Sequence, residues 1–153
     1  MKYIRVPLTN LLRIKSVVSC FTQDAAANYA AKPEKHNFWE MVYVDSGAVE
    51  VTSDGKPLTL KQGEIIFHKP NEFHTIRSYD STPNVFVISF VCKSAAMRFF
   101  ENYTDTVSKH LKPLLAGVIH EAENTYYIPK NDISPTKFEL KPTAKIGGEQ
   151  LIQ

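Results

Sequence analysis

Between residues 37 and 91 apolar and polar positions fall into short alternating runs separated by turn residues, the period of half-buried strands. Residues 38–44 are aromatic and β-branched apart from Glu40 and Met41, and predict a strand. Asp45-Ser46-Gly47 turns the chain, 48–52 predicts the next strand, and Ser53-Asp54-Gly55-Lys56 turns it again. Further short strands are expected at 58–60, 65–68, 74–78 and 85–91, with turns at 61–64 and 69–73. Turn signals recurring about every eight to twelve residues point to an antiparallel sandwich or barrel.

The flanks read differently. Residues 13–22 predict one more strand, and the alanine-rich polar stretch 23–35, with Pro33 near its end, predicts a loop or irregular edge. After residue 94 the period lengthens: Met97, Phe100 and Tyr103 stand at helical spacing within 95–103. Pro113 suits the first turn of a second helix, whose apolar stripe is Leu114, Leu115, Val118, Ile119 and Ala122. That stripe is expected to face the core or a second subunit. Residues 128–142 are polar with three prolines and read as a tether, and 145–153 reads as the start of another helix. The expected layout is an N-terminal arm at 1–12, a β-barrel domain at 13–93, a helical segment at 94–127, and a tether with the start of a linker helix at 128–153.

A chain of 153 residues suits one domain with a substantial core. Its net charge of +2, with lysines mixed among acids, lacks the basic cluster of a nucleic-acid-binding surface. No apolar run approaches the roughly 20 residues that cross a bilayer, and no signal-peptide pattern opens the sequence, so a cytoplasmic location and no membrane partner are expected. Cys20 and Cys92 stand in apolar runs and are expected as buried, inert thiols. There is no nucleophile elbow, phosphate-binding glycine loop or dinucleotide fingerprint, so catalysis here would depend on a metal.

Candidate chemistry lies in two motifs, Glu34-x-His36-x3-Glu40-x6-Gly47 and Gly63-x6-Pro70-x3-His74. If a strand runs unbroken from 34 to 44, alternation puts Glu34, His36, Phe38, Glu40, Val42 and Val44 on one face and Trp39, Met41 and Tyr43 on the other. By the same count Ile66 and His68 share a face, as do His74, Ile76 and Ser78, and Val85 with Val87. Ionisable groups buried among apolar neighbours need pairing, hydrogen bonds or a ligand. Gly47 and Gly63 read as turn positions with positive φ, and Pro70 pre-sets the loop that presents His74. His36, Glu40 and His74 make a two-histidine, one-carboxylate set suited to a divalent transition metal, with Glu34 as a fourth oxygen donor. The alternative is that the carboxylate only hydrogen-bonds and orients a histidine. His68 is expected partly buried and satisfied by backbone, and His110 and His120 at the surface or in packing.

These motifs resemble the paired motifs of the cupin superfamily. The wider stretch from His36 to Phe90 looks more specifically like the N-terminal effector-binding domain of AraC-type transcriptional regulators, through HNFWEMVYVDSGAVEV, LKQGEIIFHKPNEFHTI and VFVISFVCKSA leading into a helix. The closing IGGEQLIQ is similar to the start of the helix that joins that domain to its DNA-binding half. The resemblance implies a jelly-roll antiparallel β-barrel followed by two or more helices, with a small effector in the barrel. It implies homodimerisation through the helices after residue 94 and an arm, residues 1–10, that folds over the pocket. DNA would be bound only through a C-terminal helix-turn-helix half. On this reading the chain is a sensor rather than an enzyme and needs no cofactor. The expected ligand-binding residues are His36, Phe38, Glu40, His68, His74, Ile76, Val85 and Val87.

The sequence departs from both patterns in ways that bear on the ligand. Glu34 stands where metal cupins usually carry histidine, and Glu72 near where they carry glycine. Val85, Val87 and Ile76 make a more apolar wall than a sugar site needs, so a phenolic, an aromatic acid or a modified glycoside fits as well as a sugar. A second reading is a metal-dependent cupin isomerase or dioxygenase, with a divalent transition metal on His36, Glu40, His74 and Glu34. A third is a storage or structural barrel without a ligand.

Overall fold

Strand-forming sequence dominates the computed structural model, which describes residues 4, 6, 10–79, 82–128 and 139–144. The strands are β1 (Ile14–Asp24), β2 (Trp39–Ser46), β3 (Ala48–Ser53), β4 (Lys56–Lys61), β5 (Glu64–His68), β6 (His74–Arg77) and β7 (Asn84–Cys92). A 3-10 turn (Ala95–Phe100), β8 (Thr104–Thr106), the helix α1 (Lys112–Thr125) and a small β9–β10 pair (Tyr126–Tyr127, Glu139–Leu140) follow. The larger sheet has the order β1-β7-β2-β5-β8 and the smaller β4-β3-β6, with every pairing antiparallel.

The core forms in two layers. Between the sheets, Val42 and Val44 of β2, Ile66 of β5 and Val85 and Val87 of β7 meet Val49 and Val51 of β3 and Leu60 of β4. The other face of the larger sheet carries Trp39, Met41, Tyr43, Ile65, Phe86, Ile88 and Phe90, roofed by Met97 and Ala122, with Leu115, Val118 and Ile119 of α1 packed against them. The larger sheet is therefore covered on both sides, which is why β7 reads as a nearly continuous apolar run rather than a clean alternation.

Two expectations are corrected. The barrel does not close: consecutive β4 and β5 belong to different sheets and their ladders do not join, so the architecture is an open two-sheet sandwich. Two or more helices were expected, but among the described residues only α1 is an α-helix of more than two turns. Within 95–103 the chain forms instead a 3-10 turn at Ala95–Phe100, with i→i+3 bonds from Met97 N–H to the Ser94 carbonyl and from Glu101 N–H to the Arg98 carbonyl. A period of three also brings Met97, Phe100 and Tyr103 to one side, so the apolar spacing alone could not separate the two helix types. Within the stripe of α1, Leu114 is exposed while Leu115, Val118, Ile119 and Ala122 face the core. No described helix is long and apolar enough to cross a membrane.

Turn chemistry follows expectation. Gly47 and Gly63 take φ of +74° and +87°, and at Gly47 a Cβ would lie 3.0 Å from the Pro83 backbone. Cys20 and Cys92 are free and buried, and burial, helped by the charge of Glu123, pushes the Cys20 thiol up to about 12. Apart from Ile4, Val6 and Asn10, the arm expected to close over the pocket lies outside the described residues, as do most of the tether and the expected linker-helix start at 145–153.

Candidate functional site

The polar end of the sandwich is built where the chain changes sheets. The stretch expected as an irregular edge does run along β6: Glu34 and His74 exchange backbone hydrogen bonds at 3.0 Å, and Ala31 N–H donates to the Ile76 carbonyl. The chain then bends at residues 37–38 and enters the larger sheet at Trp39. The unbroken strand from 34 to 44 is thus corrected: Glu34 lies against the small sheet and Glu40 in the large one. His36, in between, is tied down by the Asn71 N–H, which donates to its carbonyl at 2.6 Å.

This crossing brings three groups together. His36 Nε2 lies 3.7 Å and His74 Nε2 3.5 Å from Glu40 carboxylate oxygens, and one donor atom from each residue falls within 4.8 Å of the others. Glu34, more than half exposed, sits 3.9 Å from His74 Nε2. Glu40 is otherwise held by the hydroxyl of Ser89, which donates to it at 3.0 Å and accepts from Ser19.

The hydrogen bonds decide which imidazole nitrogens are free. His36 Nδ1 lies 3.0 Å from the Phe38 carbonyl, and His74 Nδ1 3.1 Å from the Glu72 carbonyl. A carbonyl only accepts, so both Nδ1 atoms carry the proton and each neutral ring keeps its lone pair on Nε2. Those Nε2 atoms, with that of His68, are buried and without a hydrogen-bond partner. With the Glu40 carboxylate beside them, this end of the site presents acceptors and suits a cation.

The titrating groups respond to that crowding. Burial would raise the pKa of Glu40, but His36 and His74 beside it outweigh burial and hold it well below the usual carboxylate range. Burial would lower that of His74, yet the Glu40 carboxylate leaves it above the ordinary imidazole value. Glu34 is raised, first by burial and then by the negative charge of Glu40. Glu40 is thus the counter-ion that favours the protonated form of His74.

A cavity of about 580 Å³ opens beside these groups. Its apolar wall includes Phe21, Phe38, Val49, Ile76, Val85 and Val87, and its polar end includes His36, Glu40, Glu34 and Ser89. Six of the eight expected ligand-binding residues, His36, Phe38, Glu40, Ile76, Val85 and Val87, line it. His74 and His68 are almost wholly buried instead, with their rings stacked at 4.3 Å. His68 was expected to be partly buried and satisfied by backbone; it is fully buried and its Nδ1 donates to the Glu72 carboxylate at 2.7 Å. His110 and His120 are exposed, beside Ser108 and Asn124. Sequence reasoning missed Ser19, Ser89, Tyr29 and Glu72. Of these only Glu72, four residues after His68, left a visible signal.

The Glu72 network gives an acid-sensitive brace. Burial would raise this carboxyl, but hydrogen bonds from His68 and Ser53, with the charge of His68, hold it at about 2. A carboxyl with a depressed folded pKa contributes stability that is complete above the ordinary value of 4.5 and is lost as pH falls through 2. The shift corresponds to about 3 kcal/mol, and Glu40 acts in the same direction. The melting temperature of the wild-type chain is expected to drop through this pH window, and that of Glu72→Gln to drop less steeply. Calorimetric melting across an acid pH series checks both slopes.

The model of the cupin domain family matches residues 22–90. Among solved structures, the Cnp3 cupin domain of Schizosaccharomyces pombe is similar with a TM-score of 0.46 at 11% identity, over 52% of this chain and 58% of that one. KdgF from Halomonas sp. gives 0.42 at 21% identity, over 46% and 64%. A predicted oxalate decarboxylase from Thermotoga maritima gives 0.41 at 20%, over 47% and 62%. The matched region thus spans about six-tenths of the length of these structures. No curated protein matches the sequence. Residues 22–90, which hold most of the sandwich and its paired motifs, are thus similar to the cupin domain family.

Proposed function

We propose that this cupin-like domain is a sensor that binds a small organic effector, as the effector-binding and dimerisation domain of an AraC-type transcriptional regulator. The observation that carries the binding reading is the cavity of about 580 Å³, with a mostly apolar wall and one concentrated polar end. That is the usual make-up of a small-molecule site, a few placed polar groups on apolar walls. The regulator assignment rests on the resemblance of the strand sequences and of the segment after β7. A sugar, a modified glycoside or a phenolic would enter with its ring against Phe21, Val85 and Val87 and its hydroxyls toward Glu40 and His36. Hydroxyl donors suit that end better than a carboxylate, which would meet Glu40 and Glu34. Dimerisation would use the outer side of α1, where Leu111 and Leu114 are exposed. The effector changes DNA binding by a C-terminal half only by favouring one conformation over another. Calorimetric titration with panels of sugars and phenolics tests this. Binding by one class, lost when Val87→Trp fills the cavity, is the expected result; no binding by either class overturns the reading.

A second reading has its own observation, the unpartnered Nε2 atoms of His36 and His74 beside the buried Glu40. These residues, with Glu34 at the rim, would hold a divalent transition metal, whose chemistry is that of a Lewis acid with open positions. Their Nδ1–H groups are already tied to carbonyls, the usual outer support of metal-binding histidines.

A further inference from the structure

We infer that Glu72 is a positioning residue that sets two imidazoles at once, His68 through its carboxylate and His74 through its backbone carbonyl. The inference deepens the cation-binding reading of the site, on which its functional consequence rests. Glu72 is 1% exposed, in the loop between β5 and β6. One carboxylate oxygen accepts from His68 Nδ1 at 2.7 Å and from the Ser53 hydroxyl at 2.5 Å, and the other accepts from the Lys69 N–H at 3.2 Å. Its carbonyl accepts from His74 Nδ1 at 3.1 Å. The preceding residue, Asn71, has φ of +66° and donates its N–H to the His36 carbonyl. One short loop therefore reaches all three histidines of the polar end.

The consequence is a choice of tautomer. Which imidazole nitrogen carries the proton is set by the hydrogen bond the other makes. A carboxylate accepts only, so at 2.7 Å it places the proton of neutral His68 on Nδ1 and leaves Nε2 bare. The carbonyl of the same residue does this for His74. The rings lie 4.3 Å apart and 10° from parallel, so fixing His68 also fixes the platform on which His74 rests. His74 Nε2 is then held toward Glu40 at 3.5 Å as a donor atom for a cation. Removing such outer support typically costs a metal site about 10- to 100-fold in affinity.

Long-range nitrogen–proton NMR of the histidine side chains in alkaline buffer reads each tautomer without any metal. Cobalt(II) affinity, measured by competition with a chelating dye, reads the consequence. In the wild-type chain His68, His74 and His36 should all be Nδ1–H. Glu72→Gln removes the charge, and Glu72→Asp draws the carboxylate back by one methylene. Either should give His68 a substantial Nε2–H population, leave His36 unchanged, and weaken cobalt(II) binding by about 10- to 100-fold. Ser53→Ala loosens the same loop but keeps the carboxylate, and should retain the wild-type tautomers. An Nε2–H form of His68 in the wild-type chain overturns the inference. So does an unchanged His68 tautomer in the folded Glu72 variants, even if affinity falls, because loop loosening alone gives that result. A wild-type chain that binds no cobalt(II) sinks the cation reading alone, and the tautomers then decide the role of Glu72.

Discussion

Glu40→Gln is expected to weaken binding of cobalt(II) or zinc(II) by roughly 100-fold or more, beyond the 10- to 100-fold of an outer support, while the domain stays folded. Glu40 is the one carboxylate among the three clustered donors, and it is buried. A neutral amide of the same shape keeps an acceptor for the Ser89 hydroxyl, so the strand need not move. What is lost is the negative charge that offsets the desolvation of an entering cation. The same change acts on His74, which Glu40 keeps above the ordinary imidazole pKa. Where His74 is protonated a cation must displace that proton, so affinity in the wild-type chain should rise as pH rises through the raised His74 pKa. In the variant that dependence should move to lower pH, because the counter-ion of the imidazolium is gone. Titrations with a chelating dye across a pH series measure both effects. Equal affinity in the two proteins would place the bound cation elsewhere.

The legible and illegible parts of this site divide along physical lines. The strands of 39–92 could be read because aromatic and β-branched residues alternate between glycine-bearing turns, and Gly47 and Gly63 take the positive φ those turns require. Strand periodicity put Val85 and Val87 on one face, their expected place on the pocket wall came from the family resemblance, and both line the cavity. Convergence of His36, Glu40 and His74 was also anticipated, but not its route. Alternation assumes one continuous strand, and the bend at residues 37–38 transfers the chain between sheets instead. His68 and Glu72 show a different gap. A histidine and a glutamate four residues apart across a β-turn carry no strand or helix period, so their pairing depends on a loop geometry that Asn71 makes by adopting φ of +66°. The 3-10 turn at Ala95–Phe100 was misread because spacings of three and 3.6 residues place the same apolar side chains on one side over so short a run.

Phe86→Ala is expected to destabilise the domain by about 3–5 kcal/mol, the usual cost of removing a buried aromatic ring. Phe86 is 1% exposed on β7, an interior strand of the larger sheet flanked by β1 and β2. It stands across from Tyr43 on β2 and Thr22 on β1, and belongs to the layer between the sheet and α1. Strands paired on both edges cannot shift to fill a void without breaking two ladders, so the cavity would collapse poorly. A domain of this size has only about 5–15 kcal/mol in total, and each kcal/mol moves the melting temperature by about 2–4 °C. The variant should melt on the order of 10 °C lower, as read by calorimetry. Phe73→Ala is the matched control: its ring is 48% exposed, and its loss should cost only a small part of that. The cavity faces the other side of β7, so Phe86→Ala should leave ligand or cation affinity near wild type at temperatures where it is folded. A large loss of affinity there would mean that the two layers are coupled through the sheet. An equal fall in stability for Phe73→Ala and Phe86→Ala would instead contradict the placement of the core.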